Sequence, residues 1–429
     1  MAPTHTRDKP AARARWLRLI PLTILVYIIS FMDRTNIGFA FEGIEKSLHM
    51  QAAGAGLAGG IFFIGYLFLQ IPGGHLAEHW SAKKFVGIMI LVWGVMAVVS
   101  GFVQSYTQLL VVRFLLGVAE GGIWPAILVM IAHWFPAEER AQAFGVWIIN
   151  IPIASIITSP LSGWILSFAD WRTLFVIEGL FPFIIAAPLW WWLAADHPSQ
   201  AHWVSKEERD YIEGALAEEH RNAPAASGYR DVFKSATVWK LVLVYFLIQI
   251  GFYGLNLWMP TLIQTLTQRG FTAVGLIAAL PYVLAGFGLW FNGWLADKSG
   301  RYALHVFLAM LVAAISLVGS VLLGHGHIGF SIALICLAMG GALAYDGPFW
   351  AASSTTMPAA VLGGALGLIN ALGNLGGFVG PYVGGYLQDA SGGSFISTAG
   401  FLAAMMLLAG VVMFSVKADR RTAPVGGND

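Results

Sequence analysis

Charged residues are scarce in this sequence. They make up 11% of its 429 residues, whereas 57% are hydrophobic. Soluble domains contain about 25% charged residues, so this balance excludes an ordinary soluble protein and indicates a membrane protein. The formal net charge is only +1. Such a chain has no basic field to attract nucleic acid, and we expect no nucleic-acid partner.

Cysteine is almost absent. The single cysteine, Cys336, lies in an apolar stretch, which excludes an internal disulfide and a cysteine-based metal cluster. The histidines show no metal-ligand pattern. The sequence also lacks a hydrolase elbow, a phosphate-binding glycine loop with lysine and a dinucleotide fingerprint. We therefore expect no metal or organic cofactor, no enzyme activity and no ATP-driven mechanism.

Long apolar stretches, by contrast, are abundant. A helix needs about 20 apolar residues to cross a bilayer, and twelve stretches fit that requirement. The first contains Asp33 and Arg34, is longer than a signal-peptide core and lacks a small-residue cleavage site, so we expect it to remain as span 1. The predicted spans lie near residues 16–40, 52–78, 84–103, 107–134, 140–167, 171–194, 237–264, 272–297, 302–323, 327–352, 358–388 and 394–417.

Lysine and arginine predict the orientation of these spans, because cytoplasmic loops of membrane proteins collect positive charge. With twelve spans and both termini in the cytoplasm, only Lys46, Arg172 and Arg269 fall on the external side. A different number of spans would scramble this asymmetry. The cytoplasmic side then carries the other basic residues outside the spans, among them Arg7 to Arg18, Lys83, Lys84, Arg140, Lys206 to Lys240, Lys298, Arg301, Lys417, Arg420 and Arg421.

The chain divides into two related halves. Leu76-Ala77-Glu78 recurs 219 residues later as Leu295-Ala296-Asp297, and Asn150 recurs 220 residues later as Asn370. An even number of spans per half makes such repeats parallel. The predicted fold class is therefore an all-α membrane protein with twelve transmembrane helices in two six-helix parallel repeats. Its parts are a cytoplasmic tail (1–15), an N-terminal bundle (16–194), a cytoplasmic linker (195–236), a C-terminal bundle (237–417) and a cytoplasmic tail (418–429).

The linker is the one long polar segment. It carries the charge-dense run Ser205-Lys206-Glu207-Glu208-Arg209-Asp210 and then Pro224-Ala225-Ala226-Ser227-Gly228. Its first part is either an amphipathic helix on the membrane-facing surface or a solvated connection, and the sequence leaves both interpretations open.

Four charged residues inside the predicted spans stand out. Asp33 and Arg34 lie in span 1, and Arg113 and Glu120 lie seven residues apart in span 4, which places them about two turns apart on one helix face. A charge at the bilayer centre costs about 2.5 to 3.5 kcal/mol on insertion scales, so such residues usually face a cavity. They either form ion pairs that hold the spans together or form a proton-coupled anion site.

A second set of polar and aromatic residues also has two interpretations. One is structural, as hydrogen bonds or packing between helices, and we favour it for Glu178 and Asp346. The other is that they line a cavity, where amides suit hydroxyl or carboxylate groups and aromatic rings supply stacking surface. The amides are Gln249, Asn256, Asn370 and Asn374, and the aromatic residues are Tyr66, Trp258, Phe349 and Trp350.

Several motifs resemble the major facilitator superfamily across nearly the whole chain. The segment 293–301, Gly-Trp-Leu-Ala-Asp-Lys-Ser-Gly-Arg, is similar to its loop motif between spans 8 and 9. Residues 74–84 form a weaker copy, in which Glu78 and His79 replace the usual aspartate and arginine. Within the superfamily, three segments in order resemble the anion:cation symporter family, namely 33–40, 113–121 and 175–180.

This resemblance implies a bacterial inner-membrane symporter that takes up a small organic anion, with the proton as coupling ion and membrane lipid as its surroundings. We expect a monomer that works by alternating access. By similarity, Asp33 and Glu120 are the proton-coupling acids, and the loop motifs assign gating to Glu78, Asp297 and Arg301. The expected substrate-binding residues are Arg34, Arg113, Tyr66, Gln249, Asn370 and Asn374.

The motifs leave the substrate open. The amides of the second half favour a sugar acid or other hydroxy-carboxylate, because they offer partners for hydroxyl groups. An aromatic acid is the alternative, since Trp258, Phe349 and Trp350 offer stacking surface. A membrane sensor that binds the anion without moving it would keep the same arginines, but the short cytoplasmic ends and modest linker offer no output domain.

Overall fold

The computed structural model describes residues 14–222, 229–357 and 359–416. Within these ranges every regular element is a helix. Most of the two predicted tails lies outside the described residues, including the basic residues Arg7, Lys417, Arg420 and Arg421. The same holds for the whole Pro224–Gly228 segment of the linker and its neighbour Ala223.

In the part of the chain that the structure describes, ten continuous helical stretches are long and apolar enough to cross a membrane, and two of them hold two spans each. In Ala52–Ser100, the extended backbone of Ser81 (φ −177°, ψ 119°) ends one helix, and its hydroxyl caps the next by accepting from the Lys84 N–H. In Tyr302–Thr355, a 3-10 turn at Gly324–His327 separates two helices that pack together. Twelve spans result, in the predicted order.

The spans follow the chain in two sets of six. In the first set, spans 1 to 6 are Ala14–Leu48, Ala52–Leu76, Ala82–Ser100, Tyr106–Trp134, Ala137–Leu166 and Trp171–Leu193. In the second set, spans 7 to 9 are Ala236–Thr267, Phe271–Ser299 and Tyr302–Leu323, span 10 is Ile328–Ala344 with Asp346–Thr355, and spans 11 and 12 are Leu362–Ala390 and Phe395–Met413. Outside the spans lie the helices Pro198–Gln200, Lys206–Asn222 and Tyr229–Lys234.

Glycines set the distance between spans 2 and 4. A Cβ atom on Gly65 would lie 2.1 Å from the Phe114 carbonyl oxygen, and one on Gly117 would lie 2.0 Å from that of Phe62. Gly121, one turn further along span 4, stands equally close to the Tyr66 carbonyl oxygen, at 2.2 Å. In lipid, helices associate through such close backbone contact, as in other small-xxx-small sequences. This packing fixes the depth at which span 4 presents its charges.

The helix Lys206–Asn222 of the linker docks on the first bundle rather than forming a solvated connection. Arg15, at the start of span 1, donates to Glu208 of this helix at 2.9 Å and to Glu139 of span 5 at 2.6 Å. Glu139 also accepts from the Tyr211 hydroxyl at 2.9 Å. All three charged groups are buried, so the linker joins the first half through a paired charge network.

The seam between the halves is tightly packed at the predicted external face, and this part of it is called the external seam. The Asp389 carboxylate of span 11 accepts from the Ala52 and Ala53 N–H groups at the start of span 2, at 3.1 and 2.8 Å. Gln264 of span 7 donates to Glu42 of span 1 at 2.7 Å. Close glycine contacts join spans 2 and 11 at the same end, where a Cβ on Gly385 would lie 2.2 Å from the Ala52 carbonyl oxygen.

Candidate functional site

Arg34 is the charged centre of the site. Its guanidinium forms an ion pair with Glu120 at 3.3 Å and donates to the Tyr27 and Tyr253 hydroxyls at 3.4 and 3.3 Å. The Tyr66 ring lies beneath it, 4.7 Å from the guanidinium carbon to the ring centroid. Tyr253 belongs to span 7, so Arg34 contacts both halves of the protein. The Arg34 Nε–H is buried and has no hydrogen-bond partner among the described residues.

Glu120 lies directly behind Arg34. It is fully buried, and its Oε2 accepts from the Ser30 hydroxyl at 2.8 Å as well as from Arg34. Its Oε1 has no partner in the part of the chain that the structure describes. The carboxylate is therefore held on one side only, and its free oxygen is a possible site for a proton.

Asp33 points away from Arg34. Its Oδ2 accepts from the Trp93 indole N–H of span 3 at 3.1 Å, and its Oδ1 has no hydrogen-bond partner within the described ranges. The carboxylate is buried, with 1% of the residue exposed. The two predicted coupling acids thus have different partners: Glu120 pairs with Arg34, whereas Asp33 accepts from Trp93 of span 3.

Arg113 is engaged with the backbone. Helix geometry in span 1 is interrupted at Asn36, between Ala14–Thr35 and Ile37–Leu48. The guanidinium donates to the Asp33 and Arg34 carbonyl oxygens just before this break, at 3.0 and 3.2 Å, and its Nε–H lies 3.4 Å from the Ala58 carbonyl oxygen. Carbonyl groups released by a helix break in a membrane need such partners. In this structure Arg113 orients the Asp33–Arg34 segment and does not line the cavity described next.

A small cavity lies between the halves at the level of Arg34. Spans 1, 2, 4, 5, 7, 10 and 11 contribute to its wall, so each half supplies part of the lining. It brings together five of the six predicted binding residues, all but Arg113. The polar lining residues are Tyr27, Arg34, Tyr66, Tyr245, Gln249, Tyr253, Tyr345, Asp346, Asn370 and Asn374, and the apolar ones are Trp124, Ile151, Phe252 and Leu343.

The amides of the second half form a hydrogen-bonded chain. Tyr345 donates to Gln249 at 3.3 Å, Gln249 donates to Asn374 at 3.1 Å, and Asn374 donates to the Asn370 side chain at 3.1 Å. Asn370 then donates to Gln70 of span 2 at 3.1 Å, which carries the chain into the first half. The sequence analysis missed Gln70, although an amide inside an otherwise apolar span was a usable signal.

The two other buried acids have different surroundings. Asp346 lines the cavity, contrary to our preference for a structural role alone. Glu178 instead joins three spans, since it accepts from Asn36 of span 1 at 2.8 Å and from Ser162 of span 5 at 2.7 Å. Glu178 is not part of the cavity lining, and its contacts match the structural interpretation.

Several predicted cavity residues lie elsewhere. Trp258 packs against Phe41 near the external seam and donates to the Pro381 carbonyl oxygen at 2.9 Å. Phe349 and Trp350 pack against Tyr245, behind the lining. The stacking surface expected from Trp258, Phe349 and Trp350 is therefore absent from the cavity wall, and the rings that do line it come from other positions.

Asn256 lies in a second, smaller cavity near the external seam. It donates to the Tyr282 hydroxyl at 2.6 Å, and its own oxygen has no partner among the described residues. Spans 1, 5, 7 and 8 surround this space, and Ser155 and Thr158 belong to its wall. It is separate from the Arg34 cavity.

The predicted gating residues contact their own halves. Glu78 lies 3.4 Å from the His133 Nε2 of span 4, and Asp297 accepts from the Tyr302 hydroxyl at 3.4 Å. The Arg301 N–H donates to the Ser299 hydroxyl at 3.3 Å, at the start of span 9. In this conformation the contacts given above join each loop motif to residues of its own half.

Comparison with known proteins identifies the family. The model of the Major Facilitator Superfamily matches residues 23–381. The chain belongs to this superfamily. It is 31% identical over 418 residues to the inner membrane transport protein RhmT of Escherichia coli K12, covering 95% of each chain. It is 30% identical to a putative tartrate transporter of Agrobacterium vitis, covering 96% of this chain and 95% of that one, and 28% identical to an E. coli O6:H1 D-galactonate transporter, covering 93% and 94%.

Solved structures show the same fold. A D-xylose-proton symporter superposes with a TM-score of 0.73 at 16% identity, covering 95% of this chain and 99% of that one. A bacterial homologue of the human lysosomal transporter Spinster, in an inward-facing and occupied conformation, gives 0.73 at 16% identity, covering 96% and 100%. The predicted all-α fold is confirmed. The protein is an integral membrane transporter and not an enzyme.

Proposed function

We propose that this transporter is a proton-coupled symporter that takes up a small hydroxy-carboxylate, with a sugar acid as the leading substrate class. Arg34 carries the proposal. It is the only guanidinium or ammonium group among the described residues that line the cavity, and its planar donor fork matches a carboxylate. Its present partner is another carboxylate, that of Glu120.

Charge balance supports proton coupling. In their usual ionised forms, Asp33, Arg34, Arg113 and Glu120 sum to zero, and Asp346 in the cavity wall adds one negative charge to the site. A substrate carboxylate that binds Arg34 adds one negative charge to a buried site, and it competes with Glu120 for the same guanidinium. Burying that unbalanced charge is unfavourable unless a proton enters with it. We propose that Glu120 takes this proton as the substrate arrives, and that Asp33, which is hydrogen-bonded to Trp93 of span 3, serves as a second carrier.

Hydroxyl recognition supports the substrate class. Five tyrosine hydroxyls and three amides line the cavity, most of them from the second half. These groups can both donate to and accept from the hydroxyls of a sugar acid. Two relatives carry the names tartrate transporter and D-galactonate transporter, and both of those names denote hydroxy-carboxylates. We propose that Gln249, Asn370 and Asn374 form hydrogen bonds with the hydroxyl groups of the substrate.

Aromatic acids are the second candidate, because several aromatic rings face the same cavity. Besides five tyrosines, Trp124 and Phe252 line it. Rings of this kind can stack on an aromatic acid whose carboxylate binds Arg34. The two candidates share Arg34 and differ in what fills the rest of the cavity.

The motion follows from the position of the cavity between parallel repeats. We propose alternating access in which one half rocks against the other around Arg34. The external seam is closed in this structure, with Asp389 and Glu42 bridging the halves. With the orientation predicted by the positive loops, this closed seam lies on the external side. We propose that one chain suffices, since both walls of the cavity belong to it, and that it lies in a bacterial inner membrane with both termini in the cytoplasm.

The test is uptake by purified protein in proteoliposomes. Labelled sugar acids, other hydroxy-carboxylates and aromatic acids are offered with and without an inward proton gradient. We expect a hydroxy-carboxylate to accumulate only with the gradient, and Arg34→Ala liposomes to remain at the level of empty liposomes. Binding without movement across the membrane would indicate a sensor. Substrate accumulation that does not depend on the proton gradient would contradict symport.

A further inference from the structure

We propose that Asp346 selects among carboxylates: it accepts a hydroxyl at the end of the substrate remote from Arg34, and it rejects substrates that carry a second carboxylate there. This inference rests on the proposed function, because it takes Arg34 as the site that holds the substrate carboxylate. It assigns a role in specificity to an acid for which the sequence favoured a structural hydrogen bond.

Asp346 stands on the second half of the cavity wall. Helix geometry in span 10 is interrupted at Tyr345, and Asp346 begins the following helix, Asp346–Thr355. The residue is 8% exposed, and that exposure is toward the cavity, whose lining includes it. Among the described lining residues Asp346 is the one acid, and Arg34 is the one guanidinium. The cavity therefore has one positive and one negative group, from different halves.

The Asp346 carboxylate is held in a fixed orientation. Its Oδ1 accepts from the Trp350 indole N–H one turn later, at 3.0 Å. Trp350 is itself packed against Tyr245 and Phe349, with ring centroids 5.2 and 5.1 Å apart. Trp350 is the one hydrogen-bond partner of Asp346 in the described part of the chain. Its second oxygen is left to accept from a group in the cavity.

The neighbours of Asp346 do not offset its charge. The adjacent donors are committed elsewhere, since the Tyr345 hydroxyl donates to Gln249 and the Gln249 amide donates to Asn374. The lining contributed by the second half contains amides, hydroxyls and apolar side chains but no cation among the described residues. A substrate hydroxyl satisfies the open oxygen of Asp346. A second substrate carboxylate would meet a like charge in a low-dielectric site with nothing to balance it.

The consequence is a ranking of substrate classes. Monocarboxylates with distal hydroxyls fit both charged groups of the cavity. Dicarboxylates of the same carbon skeleton fit Arg34 but oppose Asp346. We therefore expect threonate to be preferred over tartrate, and galactonate over galactarate, although relatives of this chain carry the name putative tartrate transporter.

The experiment measures binding to purified full-length protein by calorimetry for three matched pairs: threonate and tartrate, galactonate and galactarate, benzoate and phthalate. The first member of each pair has one carboxylate and the second has two. For the parent protein we expect at least one hydroxylated monocarboxylate to bind about tenfold or more tightly than its dicarboxylate, since like charges placed together are strongly disfavoured. Asp346→Asn keeps the acceptor for Trp350 and removes the charge, and it should shrink that ratio to near one.

Glu178→Gln is the matched control, because it neutralises another buried acid that does not line the cavity. It should leave the mono- to dicarboxylate ratio as in the parent. An unchanged ratio in Asp346→Asn overturns the role of Asp346 and leaves the proposed function intact. Preferential binding of benzoate alone overturns hydroxyl selection. If no carboxylate of the panel binds the parent protein in an Arg34-dependent way, the proposed function itself fails.

Discussion

In the first half of the transporter, the cavity wall carries Arg34 with Glu120 behind it, whereas in the second half the corresponding wall carries Tyr253 and a chain of amides. Arg34 and Tyr253 are 219 residues apart, the offset that separates the two loop motifs, so they occupy matching places in the two repeats. They contact each other at 3.3 Å. One structural position thus holds a charge in one half and a neutral hydroxyl in the other.

This difference indicates a division of labour. The first half holds charges that can bind an anion and exchange a proton, and the second half holds groups that read the shape and hydroxyls of the substrate. A neutral second half can also rock past the first without moving an ion pair between environments, which would be costly in lipid. Asp346 is the exception, and it is the reason for the selectivity proposed above.

The largest expected effect comes from removing the charge at Arg34. Arg34→Ala should abolish uptake and weaken carboxylate binding about tenfold or more, because charge-assisted hydrogen bonds are worth roughly 1.5–3 kcal/mol. Arg34→Lys should rescue poorly, since an ammonium does not replace a bidentate fork. Tyr253→Phe, at the matching position, should retain most uptake. Equal losses of uptake in Arg34→Ala and Tyr253→Phe, measured in proteoliposomes, would contradict the proposed difference between the halves.

The next effect separates coupling from binding. Glu120→Gln and Asp33→Asn should lose proton-driven accumulation, because an amide cannot take up the proton. Exchange of labelled for unlabelled substrate should survive in at least one of them, since an amide mimics the protonated acid. Both activities are measured in the same liposome preparation. Unchanged accumulation in both variants would place the proton path elsewhere, with Glu178 and Asp346 the next acids to test.

A further loss is expected at Arg113, through position rather than through direct contact. Arg113→Ala leaves the carbonyl groups at the break of span 1 without donors, at about 1–3 kcal/mol for each buried unsatisfied group. We expect a lower melting temperature together with severely impaired uptake, and little rescue by lysine. Gln249→Ala in the second half should weaken binding while changing the melting temperature less. Normal stability in Arg113→Ala would show that these backbone contacts do not hold the segment.

The smallest expected effect concerns the two ends of the seam. We propose that the loop motif at Asp297 latches the halves together on the cytoplasmic side in the outward-facing state, so Asp297→Ala should favour the inward-facing state. Asp389→Ala should open the external seal and favour the outward-facing state. A change of about 1.4 kcal/mol shifts the populations tenfold.

Cys336→Ser gives a cysteine-free background. Cysteine placed at Gly293, where a Cβ meets open space, and at Ser159 in the external seam can then be labelled from each side.

The two substitutions should move labelling in opposite directions. In Asp297→Ala, labelling at position 293 rises and labelling at position 159 falls. In Asp389→Ala, the pattern reverses. Parent-like labelling at both positions in Asp297→Ala would refute the cytoplasmic latch without affecting the transporter assignment.

The spans and the charged centre could be predicted from the sequence because both depend on strong local signals. A stretch of about 20 apolar residues has few alternatives to a transmembrane helix, and a charge within it has few alternatives to a cavity or an ion pair. The spacing of Arg113 and Glu120 placed both on the face that meets span 1, as the structure shows. The twelve spans and the meeting of spans 1 and 4 followed from these signals.

Which side chains line the cavity could not be predicted, because this depends on how the helices pack and no local sequence pattern determines that packing. Trp258 and Trp124 both lie in apolar helices, yet one packs at the external seam and the other lines the cavity. Arg113 turns to backbone carbonyls because span 1 breaks at Asn36, and no proline marks that break. Tyr253 could have been predicted from the sequence, because it lies 219 residues after Arg34 and this is the offset between the two loop motifs.

The central claim is that a substrate carboxylate and a proton enter the Arg34 site together. The most direct measurement is the pH change of a weakly buffered solution of purified protein, followed with an indicator dye, when a bound hydroxy-carboxylate is added as its neutral salt. The account predicts uptake of about one proton per substrate bound, since each carboxylate adds one unbalanced charge to the buried site, and a smaller uptake in Glu120→Gln. Substrate binding with no proton uptake by the parent protein at any pH between 5 and 8, the range in which maximal protein stability tends to lie, would contradict it.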